Sequence, residues 1–483
     1  MAQRPIIESG KTKLDKPFFE NQFDMIESKY QSEMPSGLGW GLEDVAAPPM
    51  LEKGVVPASV ASALAAEIFD RKSTARTKPG KTFWVAAGGS DSNAGTEVSP
   101  FGSLQKAVQA GNDQGVSALV NVVGNVFERS RSLYAASVAP MVDLALVARS
   151  GRVATGTFDL PSGWSTTPNS SYANTYTNPT AAPIANCDRV LDTRNLNAWG
   201  NYTELIKVPT PEACNLIPNS WALVSGTLYV HRMDELPVTT TNTKILRKQS
   251  FNLLVNSPIN LWVEGFDFEG GPGNAARLDM GAAGPTAQLK AAVFSGCTFK
   301  YAGGYEAGSE TATGLGAASW NGLVASFNCQ SDANMTDGFN FHNGRNVPSP
   351  FSLTVNSAAR DNGRLNSQSC NGLTYHESCI GMDFGGLYEA NRGGSVRNID
   401  SSKLLMVGSR VRNDKGDLGV GGGMPPTAIR IDGTSELWCD NVTVEMPRGQ
   451  FAYSTGTGTA KIHRRNCAPV PQPDFGPGVF DTY

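Results

Sequence analysis

Between about residues 251 and 444 the hydrophobic and polar positions fall into one short recurring phrase: an apolar residue, any residue, Gly or Asn, two residues, then an apolar residue. It reads Val263-Glu264-Gly265-Phe266-Asp267-Phe268, Phe294-Ser295-Gly296-Cys297-Thr298-Phe299, Met406-Val407-Gly408-Ser409-Arg410-Val411 and Cys439-Asp440-Asn441-Val442-Thr443-Val444. The Gly or Asn positions lie 31, 112 and 33 residues apart, and 112 is close to four intervals of 28. That is the arithmetic of a chain unit repeated about every 30 residues. Apolar residues also alternate with a period of two in the pairs Leu261 and Val263, Phe266 and Phe268, Phe339 and Phe341, Leu353 and Val355, Leu373 and Tyr375, and Ile429 and Ile431. This period belongs to strands, and no long amphipathic helix pattern interrupts it.

A short strand, a residue able to enter a left-handed turn and a second short strand cannot bury an apolar face alone, so each unit must stack on the next. The pattern predicts an all-β chain folded as a parallel β-helix. An antiparallel β-sandwich also uses many short strands, but it seldom keeps a fixed long register.

Elsewhere the pattern changes. Residues 1–80 are rich in Pro, Glu, Met and aromatic residues, and only 57–71 reads as a helix, with Val60, Leu64, Ile68 and alanines on one face. This segment is expected to fold against something else, as a docking arm or an oligomer-forming stem, with a loose terminus as the alternative. Regular structure is expected from Phe83-Trp84-Val85. A β-helix start over 81–150 includes a short helix capped by Ser103 and first coil strands near 119–123 and 142–147. Residues 151–250 lapse into Ser, Thr, Asn and Pro, with local strands near Trp221 and 228–230, and predict a β-rich insertion. The main solenoid spans 251–467. The proline-rich tail, 468–483, is expected to end the coil and cover its edge.

Composition narrows this further. A chain of 483 residues exceeds the usual single core, which favours an elongated solenoid. With 52 Gly and 29 Pro but 40% apolar residues, the chain is turn-rich yet able to fold. A net charge of −4 argues against nucleic acid as the main partner. No secretory signal and no apolar run long enough to cross a bilayer is visible, so a soluble chain made in a cytoplasm, without membrane insertion, is expected. The eight cysteines include no C-x-x-C pair, which predicts no zinc site; no other metal and no cofactor is expected. They read as buried thiols, or alternatively as cross-links in an assembly exposed to an oxidising exterior.

The order Gly89, Asp91, Asn93, Gly95, Thr96, Pro100, Phe101, between a strand and a helix, resembles the G-x-D-x-N-x-G-T-x-x-x-P-F opening of right-handed β-helix proteins of the pectate-lyase-like superfamily. In that family the short helix covers the end of a right-handed parallel β-helix, and many activities share the fold. The 89–95 loop lacks the Lys and Ser/Thr of a phosphate-binding P-loop.

Chemistry-bearing residues are densest from 332 to 400. With Phe339 and Phe341 inside, His342 faces outward; with Leu373 and Tyr375 inside, so does His376, and the two share an outer wall one or two coils apart. Strict alternation points Glu377 inward, where a lone carboxylate is costly, so the strand is expected to end or turn there. Asp337 and Asp361 precede Gly and Asn-Gly, where a carboxylate caps a turn or reaches a cleft. Asp337, Asp361, Glu377 and Asp383 form the pool for a glycosidase pair. His342 or His376, with Arg392, could serve a lyase as base and enolate stabiliser. Trp320, Tyr375 and Tyr388 are candidate sugar-stacking rings or core residues. Thr336-Asp337-Gly338 is similar to the N-T-D-G motif of polygalacturonase-like hydrolases, but that family's paired Asp-Asp, G-H-G and R-I-K are absent.

Together these features resemble a phage tail-spike. The resemblance implies a homotrimer on the virion surface, assembled in the host cytoplasm. Its N-terminal segment would join other tail or baseplate proteins, and its wall would bind, and as a hydrolase or lyase depolymerise, a bacterial surface polysaccharide. The alternatives are a non-catalytic structural or receptor-binding spike and a free bacterial polysaccharide lyase or hydrolase.

Overall fold

A computed structural model describes residues 54–482 apart from 134–137, 180–186, 248–251, 272, 282–288, 304–311, 345–348, 364–369, 413–426, 446–449, 456–458 and 469–478. Within them the chain winds through three parallel sheets in turn, so each complete circuit contributes one strand to each sheet, while the circuits at the two ends contribute to fewer. The longest sheet has 12 strands and runs from Lys81–Ala86 to Val479–Thr482; the others have 9 and 8. Pairing between successive circuits is parallel and in register, as in Leu261↔Ala292 and Phe339↔Leu373. This is the parallel β-helix that the spacing predicts.

The Gly or Asn of the recurring phrase stands at the corner between the first and second sheets. Gly265, Gly296, Asn328, Asn356, Gly385, Gly408 and Asn441 all have positive φ, from 50° to 76°. Their amides donate up the column to the next circuit: Gly265 to Ser295 O at 3.0 Å, Gly296 to Phe327 O at 2.8 Å and Gly408 to Asp440 O at 2.9 Å. Asn328, Asn356 and Gly385 supply the three corners within the 112-residue interval. At the next corner, buried asparagines form a ladder in which Asn334 Nδ2 donates to Asn362 Oδ1 at 3.0 Å and Asn362 Nδ2 to Asn391 Oδ1 at 2.9 Å. The same amide oxygens accept from backbone, Asn362 Oδ1 from Asn334 N at 3.0 Å and Asn391 Oδ1 from Asn362 N at 3.2 Å, so the amides at this bend are paired.

The interior holds Phe266, Phe268, Phe299, Phe339, Phe341, Leu373, Tyr375, Ile429 and Ile431. Leu353 and Val355 are an exception: they lie on the outer face of the first sheet, and their neighbours Ser352 and Thr354 are buried on the other side. Alternation identified the strand but not its faces, because this sheet is apolar on both sides. Its outer face is covered by helix α1 (Ala58–Asp70), which buries Ala61, Leu64, Ala65, Ile68 and Phe69 against Trp262, Val293, Leu323 and Ala325. The segment around α1 runs lengthwise across the circuits. Val56 O and Ala58 O accept from the side chains of Asn356 and Asn328, Phe69 packs on Trp262 at 5.7 Å, and Lys72 O accepts from Asn260 at 3.3 Å. This helix, the first among the described residues, therefore packs on its own shaft.

Helix α2 (Leu104–Gln114) covers the end of the solenoid with Leu104, Ala107 and Val108, and Ser103 Oγ accepts from Lys106 N at 3.2 Å. Asp91 ties the preceding loop to this cap by accepting from Gly102 N, Ser103 N and Ser103 Oγ at 2.7 to 3.0 Å. The solenoid is interrupted after Gly156 and resumes at Leu253. Between them lie two four-stranded sheets and a short helix, α3 (Pro211–Leu216), around Trp221, Leu228, Val230 and Ile245. The proline-rich stretch 469–478 is outside the described residues; beyond it Val479–Thr482 extends the long sheet by pairing with Lys461–Arg465.

Truncating a fully buried aromatic typically costs about 3–5 kcal/mol. Phe69→Ala is therefore expected to raise hydrogen exchange over residues 58–70 while exchange in the strands beneath stays slow. An equal rise throughout the shaft would show that the helix is not a separable layer.

Candidate functional site

His342 and His376 follow strands Phe339–Phe341 and Asn371–Tyr375, which pair in register, so they occupy the same place on adjacent circuits. Their rings stack with centroids 3.7 Å apart and planes 16° from parallel. The chain turns at Glu377 (φ 51°), as the cost of an inward carboxylate requires. Glu377 Oε1 meets His342 Nδ1 at 3.2 Å, Oε2 accepts from Asn343 N at 3.1 Å, and Glu377 N donates to Asp400 Oδ2 at 2.9 Å. Burial, and next the neighbouring His342, push His376 well below the usual imidazole range. Burial works to raise Glu377, but the contacts with His342 and Asn343 N–H outweigh it and hold the carboxylate low. The donor atoms of His342, His376 and Glu377 all lie within 4.8 Å of one another. Arg397 stands one circuit on from Thr374, and burial, then Arg430, lowers its guanidinium from the usual value. Arg397 was not among the residues singled out from sequence; the outward position after Val396 is the signal for it.

The other sequence-predicted residues do not join this cluster. Asp337 is buried at the start of the third sheet, where it accepts from Asn371 N at 2.7 Å and Asn340 Nδ2 at 2.7 Å, a turn cap in function. Asp361, also buried, accepts from Asn197 of the insertion at 3.0 Å and so fastens that insertion to the shaft. Arg392 belongs to the corner between the second and third sheets, where its amide donates to Asn362 O at 3.0 Å. Asp383 points into the solenoid. Thr354 Oγ1, Tyr388 Oη and Ser409 Oγ donate to it at 2.6, 2.8 and 2.6 Å, in the space left by Gly386, whose added Cβ would stand 2.4 Å from the carboxylate. Trp320, Tyr375 and Tyr388 are fully buried, with Trp320 Nε1 donating to Leu323 O at 3.2 Å and Tyr375 bound to Ser352. They are core residues, with no ring face offered to a sugar. Of the four pooled carboxylates, Glu377 alone has a half-exposed side chain.

A second polar feature was not legible in the sequence. A cleft of about 440 Å³ opens where the insertion overhangs the second sheet. Its floor presents outward residues of four successive circuits: Arg152, then Asp267 and Glu269, then Thr298 and Lys300, then Gln330; Leu196 and Tyr202 of the insertion form a wall. Three steps of about 4.8 Å give the floor a length of about 14 Å. Arg152 Nε lies 3.1 and 3.0 Å from the two oxygens of Asp267, which also accepts from Thr298 Oγ1. That hydrogen bond to Asp267 raises the Arg152 guanidinium above its usual value. Glu269 is paired with Lys244, whose ammonium lies over Phe158 and Tyr202. Tyr202 is stacked on Tyr301 at 6.2 Å and donates its amide to the Tyr301 hydroxyl at 2.8 Å, which sets the wall on the shaft.

No protein-family model matches the chain, and no curated protein matches it. Among solved structures it is similar to one titled "Glycoside hydrolase" (9% identity, TM-score 0.44, 83% of this chain and 96% of that one). It is also similar to a complex of XylC with xylose (10%, 0.38, 80% and 68%) and a lacto-N-biosidase from Eubacterium ramulus (9%, 0.27, 87% and 70%).

Burial raises Asp383 against the opposing pull of its three hydroxyl donors. A carboxyl with a raised folded-state value contributes stability that is complete below its unfolded value and is lost as pH rises through the folded one. The uncharged Asp383→Asn should therefore gain on the wild type as pH climbs from the ordinary carboxylate range. Denaturant unfolding at several pH values checks this, and a stability difference that falls with rising pH would reverse the assignment.

Proposed function

We propose that the protein is a glycan-binding β-helix, a virion spike of the tail-spike type that grips a bacterial surface polysaccharide between its insertion and its shaft. The cleft carries this reading. Its floor offers donors and acceptors at a repeat of about 4.8 Å, and its wall offers Tyr202 and Leu196. A polysaccharide has the matching surface, with hydroxyl edges for the floor and ring faces for the wall.

Binding fits the cleft better than cleavage. A glycosidase needs one carboxyl as acid and one as base or nucleophile on either side of the bond. Here Asp267 and Glu269 are each engaged by a cation. Asp337 and Asp383 are closed off in hydrogen-bond networks. This supports the non-catalytic, receptor-binding form of the spike. As a spike the chain is expected to be a homotrimer in solution.

Arg152→Ala and Gln330→Ala are each expected to weaken binding of host capsule or lipopolysaccharide fragments about tenfold, or about 1.4 kcal/mol. Calorimetry with the intact protein measures this. Unchanged affinity in both variants would remove the cleft from the reading. Reducing ends or unsaturated uronates accumulating during incubation would make the protein a depolymerase instead, and a strict monomer on sizing would overturn the spike assignment.

A further inference from the structure

We infer that His342, His376 and Glu377 bind one divalent transition-metal ion of the zinc class. The sequence reading predicts no zinc site, because the cysteines form no C-x-x-C pair, although it does place the two histidines on one outer wall. Folding places them on adjacent circuits, where the pairing Phe341↔Tyr375 sets their spacing. His342 N donates to Ala317 O at 2.7 Å and His376 N to Phe341 O at 3.0 Å, so both backbones are held in the ladder.

The three donor groups lie close enough to reach one ion; because the stacked rings direct their in-plane lone pairs nearly parallel, coordination requires one imidazole to rotate out of the stack. Tetrahedral bonds of about 2.0–2.1 Å place two ligand atoms about 3.3 Å apart, and His342 Nδ1 lies 3.2 Å from Glu377 Oε1. The His376 donor falls within 4.8 Å of both. The second carboxylate oxygen is oriented by Asn343 N–H, the kind of outer contact that fixes a ligand's position. Two imidazoles with one carboxylate suit borderline ions such as Zn(II) or Co(II), whereas Mg(II) and Ca(II) prefer all-oxygen sites. The side chains of His342 and Glu377 are 37% and 39% exposed, so an ion has a path in and a coordination position left for solvent. Coordination through Nδ1 uses the Nε2–H tautomer of His342, exchanging its contact with Glu377 for the metal bond. Arg397 brings a positive charge near His376, and the carboxylates of Asp337, Asp432 and Asp400 act on that guanidinium in the opposite sense.

The test uses the full chain, stripped with chelator and titrated with Co(II) or Zn(II) alone. One equivalent per chain is expected, with visible Co(II) bands of nitrogen and oxygen coordination and no thiolate charge-transfer band from the cysteines. His342→Gln and Glu377→Gln should each weaken binding by at least about tenfold to a hundredfold, the loss that removing an outer contact alone produces. His463→Gln, at the ring stacked on Trp438, should leave it unchanged. Zn(II) should raise the thermal midpoint of the wild type and not of Glu377→Gln, and the midpoints in chelator establish that both are folded. Absence of binding, a thiolate signature, or an affinity indifferent to both substitutions would overturn the inference. The glycan cleft stands or falls independently, since none of its residues is altered.

Discussion

Everything in this molecule depends on each circuit of chain lying in register on the next. A single circuit is too thin to exclude water, and its strands leave one row of amide and carbonyl groups facing up and another facing down. Stacking satisfies both rows and completes the core in the same step. The corners must then superimpose, which is why left-handed positions recur from Gly265 to Asn441 and why asparagine, which tolerates that conformation, alternates there with glycine.

The same constraint explains which parts of the fold are legible in the sequence. The recurring phrase is visible where the flanking inward positions are apolar, as in Val263 and Phe268 or Phe294 and Phe299. It vanishes over three circuits because the equivalent inward positions there carry Ser326, Thr354 and Asp383. All three are buried, and the Asp383 carboxylate is satisfied by Thr354, Tyr388 and Ser409, so the interior tolerates a charge-bearing group while the hydrophobic signal is lost. Asp383 and Tyr388 look like surface chemistry in a one-dimensional reading for this reason, although they are packing partners inside the shaft.

The candidate sites divide along the same line. Alternation within one strand is local, so it places His342 and His376 outward, and the cost of burying Glu377 predicts its turn. The stacking of the two rings needs the register between circuits, which local pattern does not specify. The cleft needs still more: Tyr202 and Leu196 meet Asp267 and Gln330 only because the insertion folds back, held by Arg189, whose guanidinium pairs with Glu204 and donates to Ala333 O at 3.0 Å. No periodicity in the sequence encodes that return.

The lengthwise strap around α1 carries a consequence for the order of events during synthesis. Its seat is assembled from circuits far along the chain: the Asn328 side chain that holds Ala58 O is 270 residues away, and the Asn356 side chain that holds Val56 O is 300 away. Contacts of such separation form late, after the loop between them has condensed. The segment leaves the ribosome before the shaft but must wait for it, and its eventual docking reports that most of the column has been built.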